Sequence, residues 1–324
     1  MPICWRPFAE IATTLGNNEA DILRQTSRLK EMGVVRRICA LINYRALGTT
    51  STLVAAHVPQ QSLKEVAEAV NSLANVSHNY KRNHYYNLWF TLRATTEAQI
   101  ENTLKNLSGL FGIDFHSLKV VHTFKLDVRF DAESDGRELL QGLGKHESRF
   151  SCFEARYEPR HPLTRLDVFR PRQDQKTVIW RLQDDLKVTA EPFDFLCGQD
   201  LQKEDVLAII TELIDECVIR RIAAVVDHRK LGFVANVLFA GEVSQDRIVQ
   251  VGQRLAHLPT VSHCYERQIF EGWPYNLFAM MHGQNMGQIE HVISKFTEAE
   301  SIDSFELLPT EAELKKQPAK HVFD

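Results

Sequence analysis

Residues 34–48 read VVRRICALINYRALG, and residues 218–232 read VIRRIAAVVDHRKLG. The two stretches share the Arg-Arg pair, an Ala, an Arg and the closing Leu-Gly. A second matched pair follows each at nearly the same distance, VSHNYKR at 76–82 and VSHCYER at 261–267. A period this long is not that of a solenoid repeat; it marks a domain-sized module present twice in one polypeptide. With 324 residues, 44% of them hydrophobic and 25% charged, the chain is long enough to give each copy a core of its own.

Working outward, Phe8 to Ala12 followed by Leu15-Gly16 reads as a short amphipathic helix and a turn. A longer helix is predicted over 18–32, with Ile22, Leu29 and Met32 at helical spacings and Gly33 as its stop. Helix, turn, helix and a strand-rich stretch is the order of a winged helix-turn-helix. In the second copy Val178, Leu182 and Leu186 mark a first helix, Pro192-Phe193 echoes Pro7-Phe8, and 200–217 answers to 18–32. So little precedes Pro7 that the first copy is expected to lack its first helix or to have a trimmed start.

After each Leu-Gly the rhythm changes. The first half predicts a strand at 51–58, a helix at 63–73, hairpin arms at 76–82 and 86–93, a helix at 96–107 and a strand at 118–125. The second predicts a strand at 236–239, a helix at 245–258, a hairpin over 261–281, a helix at 287–296 and a strand at 304–308. This is βαββαβ twice, a ferredoxin-like sheet with helices on one face. The expected fold class is therefore α+β, a tandem duplication of winged helix-turn-helix plus ferredoxin-like modules. The expected domains are a winged helix-turn-helix at 1–48, a ferredoxin-like domain at 49–130, a linker at 131–175 carrying Pro159, Pro162 and Pro171, a second winged helix-turn-helix at 176–232 and a second ferredoxin-like domain at 233–324. The open sheet faces are expected to pack on each other as a pseudo-dimer within one chain, with further homo-oligomers left open.

Composition narrows the function. No apolar run approaches the roughly 20 residues that span a bilayer, and no signal-peptide core opens the chain, so a soluble cytoplasmic protein without membrane contact is expected. Six cysteines (Cys4, Cys39, Cys152, Cys197, Cys217, Cys264) are scattered without C-x-x-C spacing, which predicts reduced thiols and no protein metal site. The net charge of −4 offers nucleic acid no bulk attraction. The stretch 200–217 sets Asp200, Glu204, Asp205, Glu212, Asp215 and Glu216 against Lys203 alone, and 18–32 is neutral, so DNA is not the expected partner.

A winged helix-turn-helix followed by βαββαβ resembles the Lrp/AsnC regulators over nearly the whole chain, twice. More specifically, VVRRICA with N-Y-R-x-L-G, and VSHNYKRNHYYNLWFTL at 76–92, resemble the siroheme decarboxylases. The tandem arrangement is similar to their fused two-subunit form in the haem d1 branch. The resemblance implies a cofactor-free decarboxylation: two acetate side chains of siroheme become methyl groups, two carbon dioxide molecules leave, and 12,18-didecarboxysiroheme results. Siroheme is then substrate, not cofactor, and its iron can accept an axial histidine. Other proteins of haem d1 biosynthesis are implied as partners. The competing readings are a transcription regulator with a small effector and a haem-binding protein without turnover.

Siroheme's eight carboxylates require forked cationic donors. Arg36, Arg37 and Arg45 in one half match Arg220, Arg221 and Arg229 in the other, while Arg82 and Arg267 end the first hairpin arms. Repetition at the same offsets favours a binding site, although an inherited structural contact leaves the same trace. Replacing carbon dioxide by a proton needs an acid over the methylene carbon, and histidine titrates near neutral pH. A period of two puts His78, Tyr80 and Arg82 on one strand face. His78 and Tyr80 recur as His263 and Tyr265, whereas His84 meets a four-residue insertion, Glu271 to Pro274, and His228 stands at Tyr44's place. An asymmetric macrocycle should select residues that differ between the halves. His84 and His228 are therefore the expected acids, with His78 and the unmatched His122 as further candidates. Tyr80, Tyr86, Tyr265 and Tyr275, with Asn87 and Asn276, offer polar groups to carboxylates, and Trp89, Phe90, Phe270, Trp273 and Phe278 offer flat walls. One principal site is expected, formed mainly on the first half's sheet and closed by the second.

Overall fold

The computed structural model describes residues 1–126, 168–198 and 201–316. Most of the expected linker, Asp200 and the end of the tail at 317–324 lie outside the described residues. Contacts divide the chain into two compact units, one holding Met1–Gly48 and the described residues up to Leu231, the other holding 49–126 and 232–316.

In the first unit, α1 (Pro7–Thr14) and α2 (Glu19–Glu31) precede β1 (Val35–Ile42). Helix α2 starts where the Asn18 side chain accepts the Asp21 N–H, carries acids in its first turn and Arg28 and Lys30 in its last, and gives way to Gly33 at φ +67°. The second copy supplies α5 (Gln173–Leu182), α6 (Lys203–Asp215) and β6 (Ile219–Val226), with only a 3-10 turn, Asp194–Leu196, where the first has α1. Helix α5 begins inside the stretch expected to be linker. Residues 1–6, ahead of α1, are not helical. Strands β1 and β6 pair antiparallel, Ile38 opposite Ala224, and one core joins Phe8, Ile22 and Ile38 to Val178, Leu182, Phe193 and Leu213. The two winged segments are thus one unit, not two separate domains: neither ribbon strand could bury its apolar face alone.

The second unit holds β2 (Thr50–Ala56), α3 (Leu63–Ser72), β3 (Val76–Arg82), β4 (Leu88–Ala94), α4 (Glu97–Phe111) and β5 (Phe115–Leu126) from the first half. The second half adds β7 (Ala235–Gly241), α7 (Ile248–His257), β8 (Val261–Arg267), β9 (Leu277–Gly283), α8 (Met286–Glu300) and β10 (Phe305–Lys316). The strands form one closed barrel in the order β10-β3-β4-β2-β5-β8-β9-β7. Each half contributes the ferredoxin-like order, and the halves join edge to edge. Strands β5 and β10 are 12 residues each. Strand β10 outruns the expected 304–308 because its far end pairs with β3 of the opposite half, while β5 exceeds 118–125 mainly at its start, where Phe115, His116 and Ser117 pair with β2, and its far end pairs with β8. Closure consumes the strand edges that two separate sheets would expose.

The period of two sorts the side chains. Val54, Phe90 and Leu92 point outward beneath α3 and α4, and Val237, Phe239 and Met281 do the same beneath α7 and α8. Ala55, Trp89 and Leu118 point inward to meet Leu238, Ala240, Phe278 and Leu308. The barrel centre is therefore packed with side chains contributed by both halves.

Candidate functional site

Arg82 closes β3 and is 3% exposed; its Nη1 donates to the Leu308 carbonyl at 2.7 Å and to Thr310 Oγ1 at 3.1 Å. Arg267 closes β8 and donates from Nη1 to the Leu118 carbonyl at 2.8 Å. Each reaches the last strand of the other half, and each guanidinium lies over the tyrosine two residues back, Tyr80 at 5.3 Å and Tyr265 at 4.8 Å. Burial pushes both guanidinium groups down to about 10. No carboxylate pairs with either among the described residues. They fasten the two seams of the barrel and leave positive charge beside its interior.

Between each arginine and the next strand runs a loop. Asn87 donates from Nδ2 to the Val58 carbonyl and accepts the Val58 N–H, at 2.8 and 2.9 Å, and Asn276 treats Val243 identically, at 2.7 and 3.0 Å. Both ends of the Asn87 amide are thus committed to backbone. Held this way, 83–87 presents His84 and Tyr86, while the longer 268–276 presents Phe270 and Trp273. Counting back from the shared Tyr-Asn (Tyr86-Asn87 and Tyr275-Asn276), Trp273 stands at His84's place, and the two rings meet edge to face at 5.5 Å.

Tyr86 is the hub of this meeting. Its ring makes edge contacts with His116, Phe270 and Trp273 at 5.6, 5.3 and 5.5 Å, and His116 stacks flat on Phe270 at 4.0 Å. Trp89 lies 5.5 Å from Trp273 and donates its indole N–H to the Tyr86 carbonyl at 2.6 Å. The Trp273 indole N–H finds no acceptor among the described residues, although the residue is 2% exposed. Leaving such a donor unmet costs about 1–3 kcal/mol.

The Tyr86 N–H donates to His84 Nδ1 at 3.0 Å, which leaves Nε2 as the protonated nitrogen of the neutral ring. Burial pushes the His84 imidazole below its ordinary value, with the Glu306 charge opposing, and burial lowers His116 likewise against Asp114. Burial also raises the Tyr86 phenol. A half-buried imidazole beside a carboxylate, walled by aromatic rings, can exchange a proton near neutral pH and shelter a flat ligand edge.

The structure brings together only part of the expected set. His84, Tyr86 and Trp89 join Phe270 and Trp273 at one place. His78 and Tyr80 lie opposite Thr91 and Trp89 in register, so they share the barrel-facing side, as do His263 and Tyr265 opposite Met280 and Phe278. His78 and His263 each hold a neighbouring serine hydroxyl at 2.9 Å from Nδ1. His122 is exposed and leans on Phe124, 4.6 Å away. Arg36, Arg37, Arg45, Arg220, Arg221, Arg229 and His228 belong to the winged-helix unit. There Arg36 pairs with Asp227 at 2.8 Å, Arg220 donates to Asn43 Oδ1 at 3.3 Å, Arg45 and Arg229 are exposed, and His228 is buried at 4% exposure. His116 was not among the expected residues. Its alternation with the outward-facing Phe115 on a strand could have revealed it.

The model of the AsnC-like ligand-binding domain matches residues 46–125 and 230–315, and the siroheme decarboxylase NirDL-like HTH domain matches residues 1–36. The chain is 32% identical over 324 residues to the siroheme decarboxylase of Hydrogenobacter thermophilus, covering 99% of this chain and 91% of that protein. The NirD subunit of the Pseudomonas aeruginosa enzyme matches 134 residues at 36% identity, 41% of this chain and 89% of the subunit. The crystal structure of the siroheme decarboxylase NirDL in complex with an iron-uroporphyrin III analogue shares 28% identity and a TM-score of 0.71, covering 99% of this chain and 90% of that one. With two AsnC-like domains closed into one barrel and full-length similarity of this order, the chain belongs to the siroheme decarboxylase family.

Proposed function

We infer that the protein is a carboxy-lyase that converts siroheme to 12,18-didecarboxysiroheme. The observation that carries this reading is the convergence of His84 with Tyr86, Phe270 and Trp273 in a chain related over its whole length to siroheme decarboxylases. In each turnover the bond between the methylene carbon and the carboxylate breaks and carbon dioxide leaves. The electron pair stays on carbon, delocalised toward the macrocycle, and His84 delivers the proton that completes the methyl group. Atoms and electrons balance without an oxidant or an added cofactor, and siroheme's iron enters as part of the substrate.

The surroundings suit this step. Tyr86, Phe270 and Trp273 replace water around the leaving carboxylate, which favours loss of its charge. Arg82 and Arg267, cationic and without acidic partners among the described residues, supply positive potential for carboxylates that stay. Glu306 favours the imidazolium form of His84 that the reaction consumes, a form in which Nδ1 takes a proton and gives up the Tyr86 N–H. The chemistry fits a cytoplasmic enzyme working on a soluble tetrapyrrole. Anaerobic incubation with siroheme should give a product lighter by two carbon dioxides. A folded protein that binds siroheme and returns it unchanged would contradict the reading.

A further inference from the structure

Pseudo-symmetry gives His84 a counterpart, and the counterpart is a tryptophan. Trp273 reaches the place by way of the longer second loop, whose Gly272 at φ +78° turns the chain beside the Tyr86 hydroxyl. Two tryptophans lie next to each other here. The Trp89 N–H is satisfied by the Tyr86 carbonyl, whereas the Trp273 N–H, equally buried, meets no protein acceptor among the described residues. Buried donors are paired in nearly all native proteins, so one left open beside the proposed acid points to a ligand acceptor.

The kind of acceptor follows from the chemistry of the donor. An indole N–H is a donor only and carries no charge. An ionised carboxylate is an acceptor only. A cationic donor on the departing carboxylate would hold its charge most tightly before the bond breaks, opposing the step. A neutral donor in an aromatic wall orients the same group with less ground-state stabilisation. Arg82 and Arg267 each spend Nη1 on a seam carbonyl, of Leu308 and Leu118, rather than on this arrangement of rings.

We propose that the Trp273 indole N–H donates to a ring acetate of the substrate, holding the carboxylate that leaves beside His84 and selecting acetate-bearing tetrapyrroles. This rests on the siroheme reading. It assigns Trp273 a recognition role beyond the flat wall that its ring provides.

Iron-uroporphyrin III and iron-coproporphyrin III separate the two roles without turnover. They share a macrocycle, iron and four propionates, and differ in carrying acetates or methyl groups. Anaerobic absorbance titration of the whole protein should show Trp273→Phe binding iron-uroporphyrin III about tenfold more weakly, about 1.4 kcal/mol. Its affinity for iron-coproporphyrin III should change less than twofold. Equal losses for both ligands, or no loss for either, would overturn the proposal while leaving the siroheme reading intact. Should Trp273→Phe fail to fold, β-(3-benzothienyl)alanine at 273 keeps the bicyclic shape without the N–H and must give the same selective loss. Failure of the unsubstituted protein to bind either porphyrin would overturn the siroheme reading and this inference together.

Discussion

The two hairpin loops descend from one sequence and now do different work. Loop 83–87 is short and brings His84 to the rings, while loop 268–276 is four residues longer and brings Phe270 and Trp273 to meet it. Around them the duplicated residues bind the protein itself. Arg82 and Arg267 hold seam carbonyls, Asn87 and Asn276 hold Val58 and Val243, and Lys315 and Lys125 reach carbonyls at the ends of α3 and α7 in the opposite half. Duplication preserved the frame, and divergence between the copies made the site. His84, His116 and Trp273, which are not repeated as the same residue in the other copy, converge on Tyr86, whose own match is Tyr275.

The comparison breaks most sharply at His84. His84→Ala should lower kcat by about 10²–10⁴, the usual worth of a positioned acid, with tetrapyrrole affinity changed far less. Stopped assays under anaerobic conditions measure it, and a loss confined to affinity would remove His84 from the proton transfer.

Packing beneath the two sheets gives the next largest effect. Gly252 in α7 faces Phe124 of β5, and a Cβ there would overlap that ring, whereas the equivalent helix position in the first half is Ala67, whose half receives Leu314 from β10. Glycine with phenylalanine and alanine with leucine are matched trades of volume. Gly252→Ala should cost about 1–3 kcal/mol by overpacking, read by chemical denaturation, and Phe124→Leu should recover most of it. Additive losses would show that the two sites do not trade volume.

At the seams the two halves differ slightly. Arg82 makes two side-chain bonds across its seam and Arg267 makes one, so Arg82→Met should be more destabilising than Arg267→Met by about 1 kcal/mol. The reverse order in denaturant titrations would deny that the seam bonds set their contribution.

The smallest effect lies in pH. With His84 lowered by burial and active as imidazolium, kcat/KM should fall as pH rises through a value below about 6.5. Bound carboxylates favour imidazolium, so the corresponding limb of kcat should lie at higher pH. The same lowered value means that the unfolded chain holds this proton more tightly. The stability contributed by neutral His84 is complete above about 6.5 and is lost as pH falls through the folded value.

Much of the frame was legible in the chain. The VVRRICA and VSHNYKR repeats announced the duplication, and alternation in β2 and β4 announced a sheet covered on one face. The reach of β5 was legible to within a residue, but that of β10 was not, because register shifts between Thr310 and Ala312 and between Glu313 and Lys315 break the period of two where the strand crosses to the other half. Site residues were harder still. Identical residues at identical offsets suggested ligand contacts, yet Asn87 and the arginines of the seams have backbone partners. Trp273 reads as part of an insertion until the Tyr-Asn that follows is aligned, and only the fold sets it against His84. His228 and the six arginines of the winged segments stand close in sequence to the sheet but belong to the other unit, where Arg36 is already paired with Asp227.

Proton delivery by His84 is the centre of the account, and turnover in D2O tests it most directly. Siroheme incubated anaerobically with the protein should lose two carbon dioxides and gain one deuterium in each new methyl group, read by mass spectrometry. The His84→Ala protein, folded and able to bind siroheme, should leave the substrate intact over the same time. Decarboxylation at an undiminished rate in that variant would contradict the account.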